Sequence, residues 1–135
     1  MYIGRLRPNF YAMCGFDKSL LKCTADMAHQ YEARQSFPSG HSGLSFCSMG
    51  VLAWFALGCW IRKCNRTASN KNILSFGTAM KQKNAKIAAL ISLSPLIFST
   101  FVATSRIVDN WHHPSDVIAG TIIGFVCATI SYHLW

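Results

Sequence analysis

Three stretches of nineteen residues, 43–61, 87–105 and 117–135, contain no Asp, Glu, Lys or Arg. As a helix, each is long enough to cross a hydrocarbon core of ~30 Å. Their ionisable side chains are limited to Cys47, Cys59, Cys127, Tyr132 and His133, which hydrocarbon tolerates far better than Lys or Asp. Backbone in lipid must satisfy its own hydrogen bonds, and a helix does so within one segment. The chain is therefore predicted to be an all-α membrane helical bundle with three transmembrane helices. With 135 residues it forms a single domain. The balance of 51% apolar to 13% charged residues is unusual for a soluble one.

The formal charge of +8 invites a nucleic-acid reading, but its distribution argues against one. Arg62, Lys63, Arg66, Lys71, Lys81, Lys83 and Lys86 crowd into the 62–86 linker, which has no acidic residue. That is the signature of a cytoplasmic loop, predicted to be solvated and mobile. Two crossings then return the chain to its starting side, so the 1–42 and 106–116 segments share the opposite face. Asn65-Arg66-Thr67 fits a glycosylation acceptor, yet this topology leaves it unused. No apolar stretch after Met1 reads as a signal peptide. A helical or interfacial piece is expected within 20–34.

Cys14 and Cys23 share the outer segment, where a disulfide is permitted by compartment, though spacing does not establish its geometry. Cys47, Cys59 and Cys127 are expected to pack as small hydrophobes. Pro95 should kink the second span or loosen its turn. Gly120 and Gly124 form a pair that lets another helix approach closely.

Two constellations carry chemistry. Pro38-Ser39-Gly40-His41 stands where the outer loop becomes the first span. Free backbone N–H groups and the positive end of the helix dipole point at such a junction. Gly40 permits close approach there, Ser39 offers a hydroxyl, and His41 stands beside the bound anion. Taken alone, these are also ordinary helix-start residues with an interfacial histidine. The second constellation is Ser105-Arg106, five residues, His112, three residues, Asp116. Arg106 supplies a planar cation for phosphate oxygens. The spacing of His112 and Asp116 lets the carboxylate meet an imidazole nitrogen across one helical turn or a tight loop–helix junction, freeing the other nitrogen as nucleophile or base. A structural ion cluster, or a metal site of His112, His113 and Asp116, would use the same residues. The metal reading lacks a further carboxylate or cysteine to complete its ligand set.

Together these segments resemble the second and third signature motifs of the type 2 phosphatidic acid phosphatase family, and Arg7-Pro8 resembles the end of the first, Lys-x6-Arg-Pro. The motif's Lys would fall just before Met1. Three of the family's usual six spans are missing, so the chain is expected to be the C-terminal half of that fold, and a second copy could bury its exposed helix faces. The resemblance implies hydrolysis of a lipid phosphomonoester such as phosphatidic acid on the lumenal or extracellular face. It implies no cofactor and no metal. His112 would attack phosphorus with Asp116 on its other nitrogen, and His41 would protonate the leaving alkoxide. Arg7, Ser39, Gly40 and Arg106 would hold the phosphate. Trp111 is expected to anchor at the interface and His113 to stand by. Similar motifs occur in soluble vanadate-dependent haloperoxidases, which three apolar spans argue against, and in glucose-6-phosphatase, so a non-lipid phosphate ester stays open. A catalytically impaired membrane protein of the same descent stays open too.

Overall fold

The structure, a computed structural model, describes residues 4–69 and 77–134. Its order is α1 (Phe10–Met13), β1 (Phe16–Asp17), β2 (Lys22–Cys23), α2 (Met27–Glu32), α3 (Gly40–Ser69), α4 (Gly77–Val108) and α5 (Pro114–Leu134). Three of these helices are long and apolar enough to cross a membrane, over Gly40–Lys63, Lys86–Val108 and Pro114–Leu134. The fold is the expected all-α bundle, with one addition: β1 and β2 pair as a short antiparallel ribbon, Phe16 opposite Cys23.

The element boundaries correct the sequence reading. The described residues of the 62–86 segment are helical and not a loop, because α3 continues to Ser69 and α4 already begins at Gly77. No Pro or Gly interrupts the chain between Gly58 and Gly77, and Arg, Lys and Ala favour helix whether or not lipid surrounds them. Hydropathy marks where a helix leaves hydrocarbon, not where it stops. Lys71, in the middle of that linker, and Trp135, at the end of the third span, lie outside the described residues. The expected 106–116 loop is likewise shorter. Arg106 belongs to α4 and Asp116 to α5, leaving only 109–113 as connection.

α3 is the central helix and packs against both α4 and α5, which meet each other only slightly. Small side chains make these contacts. On α4, Ala88, Ser92, Ser99 and Ala103 are buried, and Ser99 Oγ donates to the Ser45 carbonyl on α3 at 2.9 Å. Large apolar residues point outward instead: Leu44 and Phe55 on α3, Leu90, Ile97 and Phe101 on α4, and Ile118 and Ile122 on α5 are each more than half exposed. A bundle in water would reverse this arrangement. In lipid, burial of Leu against Leu gains little over lipid tails, so close backbone packing through small residues holds the helices together.

On the α5 side, the α3/α5 contact depends on two glycines. A Cβ on Gly120 would strike the Ser39 carbonyl oxygen, and one on Gly124 would strike the Gly43 carbonyl oxygen and sit 3.1 Å from Cys47 N. Pro95 lies inside α4, which runs through it. Pro95 has no N–H to offer the Ile91 carbonyl, and Ser94 Oγ donates to that carbonyl at 2.7 Å.

The N-terminal segment packs over the end of the bundle where α3 and α5 begin. Cys14 and Cys23 form a disulfide that closes the β1–β2 ribbon, and Cys14 is fully buried. α2 is the helical piece expected within 20–34, capped by Asp26, whose carboxylate accepts from Met27 N at 2.8 Å.

Candidate active site

The connection from α4 to α5 sets the position of His112. Asn110 takes φ +56°, a left-handed conformation that Asn tolerates better than most residues. The chain turns back, and the Arg106 carbonyl accepts from Trp111 N at 3.1 Å and His112 N at 3.2 Å. Pro114 then opens α5 at the first helical position, where its missing N–H costs nothing. Asp116, two residues further, accepts the His113 backbone N–H at 3.1 Å, the reach-back of a capping box.

This geometry overturns the expected pairing of Asp116 with His112. His112 precedes the helix, so the four-residue spacing does not stack it beneath Asp116. Instead the His112 ring directs Nδ1 to the Ser36 carbonyl at 2.7 Å. Asp116, fully buried, has other partners. Oδ2 accepts from Ser36 Oγ at 2.5 Å and lies 3.3 Å from His113 Nδ1. Oδ1 meets Arg5 Nη1 at 2.5 Å, and the same Nη1 reaches Ser115 Oγ at 2.7 Å. His113 is thus a partner of the carboxylate, not a bystander.

Arg5 and Ser36 were not singled out from the sequence. Arg5 lies two residues before Arg7, and that spacing is the one signal the sequence offers. The two segments are paired: Arg7 N donates to the Ala33 carbonyl at 2.9 Å and Ser36 N to the Arg5 carbonyl at 3.0 Å.

The expected phosphate-binding residues arrive in differing states. Arg7 packs its guanidinium 4.9 Å over the Trp111 ring, so Trp111 supports this cation as well as standing at the helix end. Arg7 Nε and Nη1 are buried without a hydrogen-bond partner, although Glu32 Oε1 comes within 3.5 Å of Nη1. Such unmet donors are costly unless an anion reaches them. Gly40 begins α3, and a Cβ there would meet open space, leaving the helix N-terminus accessible. His41 beside it is exposed. Ser39 departs from expectation, since its hydroxyl is buried 3.0 Å from that of Ser42. Arg106 contacts Asp109 and Ser105 Oγ, each at 3.3 Å.

Burial pushes the His112 imidazole below the ordinary histidine value, and the nearby Arg7 and His41 act in the same direction. The Ser36 carbonyl and Asp116 oppose them. A neutral ring with Nδ1–H held by a carbonyl carries its lone pair on Nε2. Among the described residues, no three His, Cys, Asp or Glu side chains gather into a set able to hold a metal ion. The alternative ligand set is not assembled, because His112 turns to Ser36 while His113 and Asp116 face each other.

The PAP2 superfamily matches the chain over residues 1–135. Similar proteins include probable lipid phosphate phosphatase 4 of Arabidopsis thaliana, 32% identical over 96% of this chain and 39% of its own length. Phospholipid phosphatase 1 of Rattus norvegicus is 32% identical over 95% and 42%. Probable diacylglycerol pyrophosphate phosphatase 1 of Schizosaccharomyces pombe is 29% identical over 96% and 44%. The chain thus spans about two fifths of the length of these curated relatives. No solved structure matches it.

Proposed function

This chain belongs to the PAP2 superfamily, and on that footing we propose that it carries the phosphate-transfer centre of an integral membrane phosphatase acting on lipid phosphomonoesters such as phosphatidic acid. The observation that carries the reading is the His112 ring, buried and tied through Nδ1 to the Ser36 carbonyl, beside an Arg7 guanidinium with unmet donors. A neutral nucleophile stands next to a cation whose one acidic neighbour, Glu32 at 3.5 Å, leaves two of its donors without a hydrogen bond.

In this reading His112 Nε2 attacks phosphorus and the phosphorus–oxygen ester bond breaks. The departing alkoxide takes a proton from His41. Water then attacks the phosphohistidine and gives a proton to His41, the nitrogen–phosphorus bond breaks, and inorganic phosphate leaves. Arg7 and the N–H groups at Gly40 and His41 stabilise the non-bridging oxygens as charge moves. Arg106 joins them by leaving Asp109, a partly exposed pair that costs little to exchange. The buried Ser39 hydroxyl acts through Ser42 at the same helix start. A metal is not required for charge balance in this scheme.

Exposed Arg62, Lys63, Arg66 and Lys86 flank the far ends of α3 and α4. The positive-inside rule then favours a lumenal or extracellular active site, where a headgroup enters from the interface while its acyl chains stay among Leu44 and Ile118. The test is phosphate release from phosphatidic acid in mixed micelles with a chelator present. Turnover that vanishes in His112→Ala supports the assignment. Turnover that survives in His112→Ala, or requires added divalent metal, refutes it.

A further inference from the structure

We infer that Asp116 acts on the nucleophile His112 through Ser36, with Arg5 holding the carboxylate, so that Ser36 and Arg5 are positioning residues of the site. The inference rests on the phosphatase reading and concerns how its nucleophile is aimed.

Every link is a short contact, and all of its groups but the partly exposed Arg5 guanidinium are buried. Arg5 Nη1 meets Asp116 Oδ1 at 2.5 Å. Asp116 Oδ2 accepts from Ser36 Oγ at 2.5 Å, and the Ser36 carbonyl accepts from His112 Nδ1 at 2.7 Å. Ser36 N closes the ring by donating to the Arg5 carbonyl at 3.0 Å. Ser36 and Asp116 are fully buried and His112 is 5% exposed, so little solvent competes along the path from Asp116 through Ser36 to His112. Asp116 accepts from three residues, Arg5, Ser36 and His113, and its lone pairs are spent without touching His112.

A peptide carbonyl is a weaker acceptor than a carboxylate, and it aims the imidazole only if the peptide itself is fixed. Two anchors fix it here: the Arg5 carbonyl on the Ser36 N–H and Asp116 on the Ser36 hydroxyl. The hydroxyl also polarises toward the carboxylate, carrying part of its charge to the residue that holds the ring. When His112 Nε2 bonds to phosphorus the ring becomes cationic, and the Nδ1–H bond strengthens against a carbonyl that cannot move away. The stabilisation grows in the transition state, so it belongs in kcat.

Four variants of the full chain test this in lipid–detergent mixed micelles: Ser36→Ala, Ser36→Thr, Asp116→Asn and the Ser36→Ala/Asp116→Asn double. Ser36→Ala should lower kcat on the order of 10- to 100-fold with KM nearly unchanged, and Ser36→Thr, which keeps the hydroxyl, should recover most of it. The double variant should be no slower than Asp116→Asn, because both changes cut one path. Wild-type kcat in Ser36→Ala, or losses that multiply in the double, would overturn the inference and restore direct action of Asp116. If Ser36→Ala does not fold, Arg5→Gln interrogates the other end of the carboxylate and should also lower kcat at constant KM; an unchanged kcat there counts against the inference. Imidazole nitrogen NMR separates this failure from failure of the phosphatase reading, since it needs no turnover. His112 should hold Nδ1–H in the wild type and in Ser36→Thr and become a tautomer mixture in Ser36→Ala. An unchanged tautomer in Ser36→Ala sinks the relay whether or not the chain hydrolyses lipid.

Discussion

Ser39 donates its backbone N–H to the carbonyl of Asp116 at 3.0 Å, joining the residue before α3 to the first turn of α5. Two motifs that lie far apart in sequence become one surface through this bond. Gly120 and Gly124 permit it by letting the helix backbones close on each other.

Replacing Gly124 by Val should therefore damage the site without touching it. The new side chain would press on the Gly43 carbonyl and Cys47 N, both backbone atoms of α3, and backbone cannot step aside as a flexible side chain can. Overpacking of this kind costs about 1–3 kcal/mol. A lowered unfolding temperature in detergent, together with reduced turnover, is the expected result. A Gly124→Val chain as stable and active as wild type would mean that the helices do not meet there.

The protonation state of His112 predicts the acid side of the pH profile. Burial, helped by Arg7 and His41, lowers its pKa from the ordinary histidine value, so the ring stays neutral below a pH of about 6.5. Turnover should hold as pH falls through 6.5 and decline only further down, as the folded ring protonates. Stability follows the same sign. Between the ordinary value and the lowered one, the unfolded chain binds the extra proton, so the contribution is complete above about 6.5 and drains away as pH drops below it. A rate profile already half lost at 6.5 or above would contradict this environment for His112.

Much of this site was legible in the sequence because helix starts and apolar length are local properties. The spans, the small pair Gly120 and Gly124, and the placing of His41 and His112 at one end all followed from them, while Arg7 was legible only through the resemblance of Arg7-Pro8 to a family motif. The partners of Asp116 differ from those its spacing suggests because one spacing serves two geometries. Four residues place a carboxylate under a histidine when both are helical, but Pro114 starts the helix after His112, and the loop–helix junction turns the ring to the Ser36 carbonyl instead. Asp116 is then a capping residue for His113 and a partner for Arg5. Ser36 was invisible because its part is played by a backbone carbonyl, which any residue has. Charge in the linker reports on the solvent around a helix and not on its continuation, so it gives no sign that α3 runs on to Ser69 and that α4 starts at Gly77.

The Cys14–Cys23 disulfide should stabilise the segment that carries Arg5, Arg7 and Ser36. It closes a short loop, with a sequence separation of 9, for which chain-entropy arguments give about 2–3 kcal/mol. Cys14→Ser/Cys23→Ser should unfold at lower temperature and lose affinity for phosphate as Arg7 loosens, while the membrane helices keep their circular dichroism. Equal phosphate inhibition in the wild type and the double serine variant would show that the disulfide does not support the site.

Glu32 offers a way to test what Arg7 is for. Its carboxylate lies 3.5 Å from Arg7 Nη1, yet is 53% exposed, and a pair so wet contributes at most about 1 kcal/mol. Arg7 is 10% exposed with two nitrogens lacking a hydrogen-bond partner, so a phosphate oxygen is the better match for it. Glu32→Gln removes a competing negative charge and should tighten inhibition by inorganic phosphate a few-fold, roughly the loss of one weak ion pair. Arg7→Lys keeps the charge but loses the planar fork and the stacking on Trp111, and should cut kcat/KM by one to two orders of magnitude, on the order of a single charged hydrogen bond in a transition state. The two changes have opposite signs on one cation. If Glu32→Gln weakened phosphate binding, Glu32 would be a ligand-orienting group and not a competitor, and the unmet donors of Arg7 would need another anion.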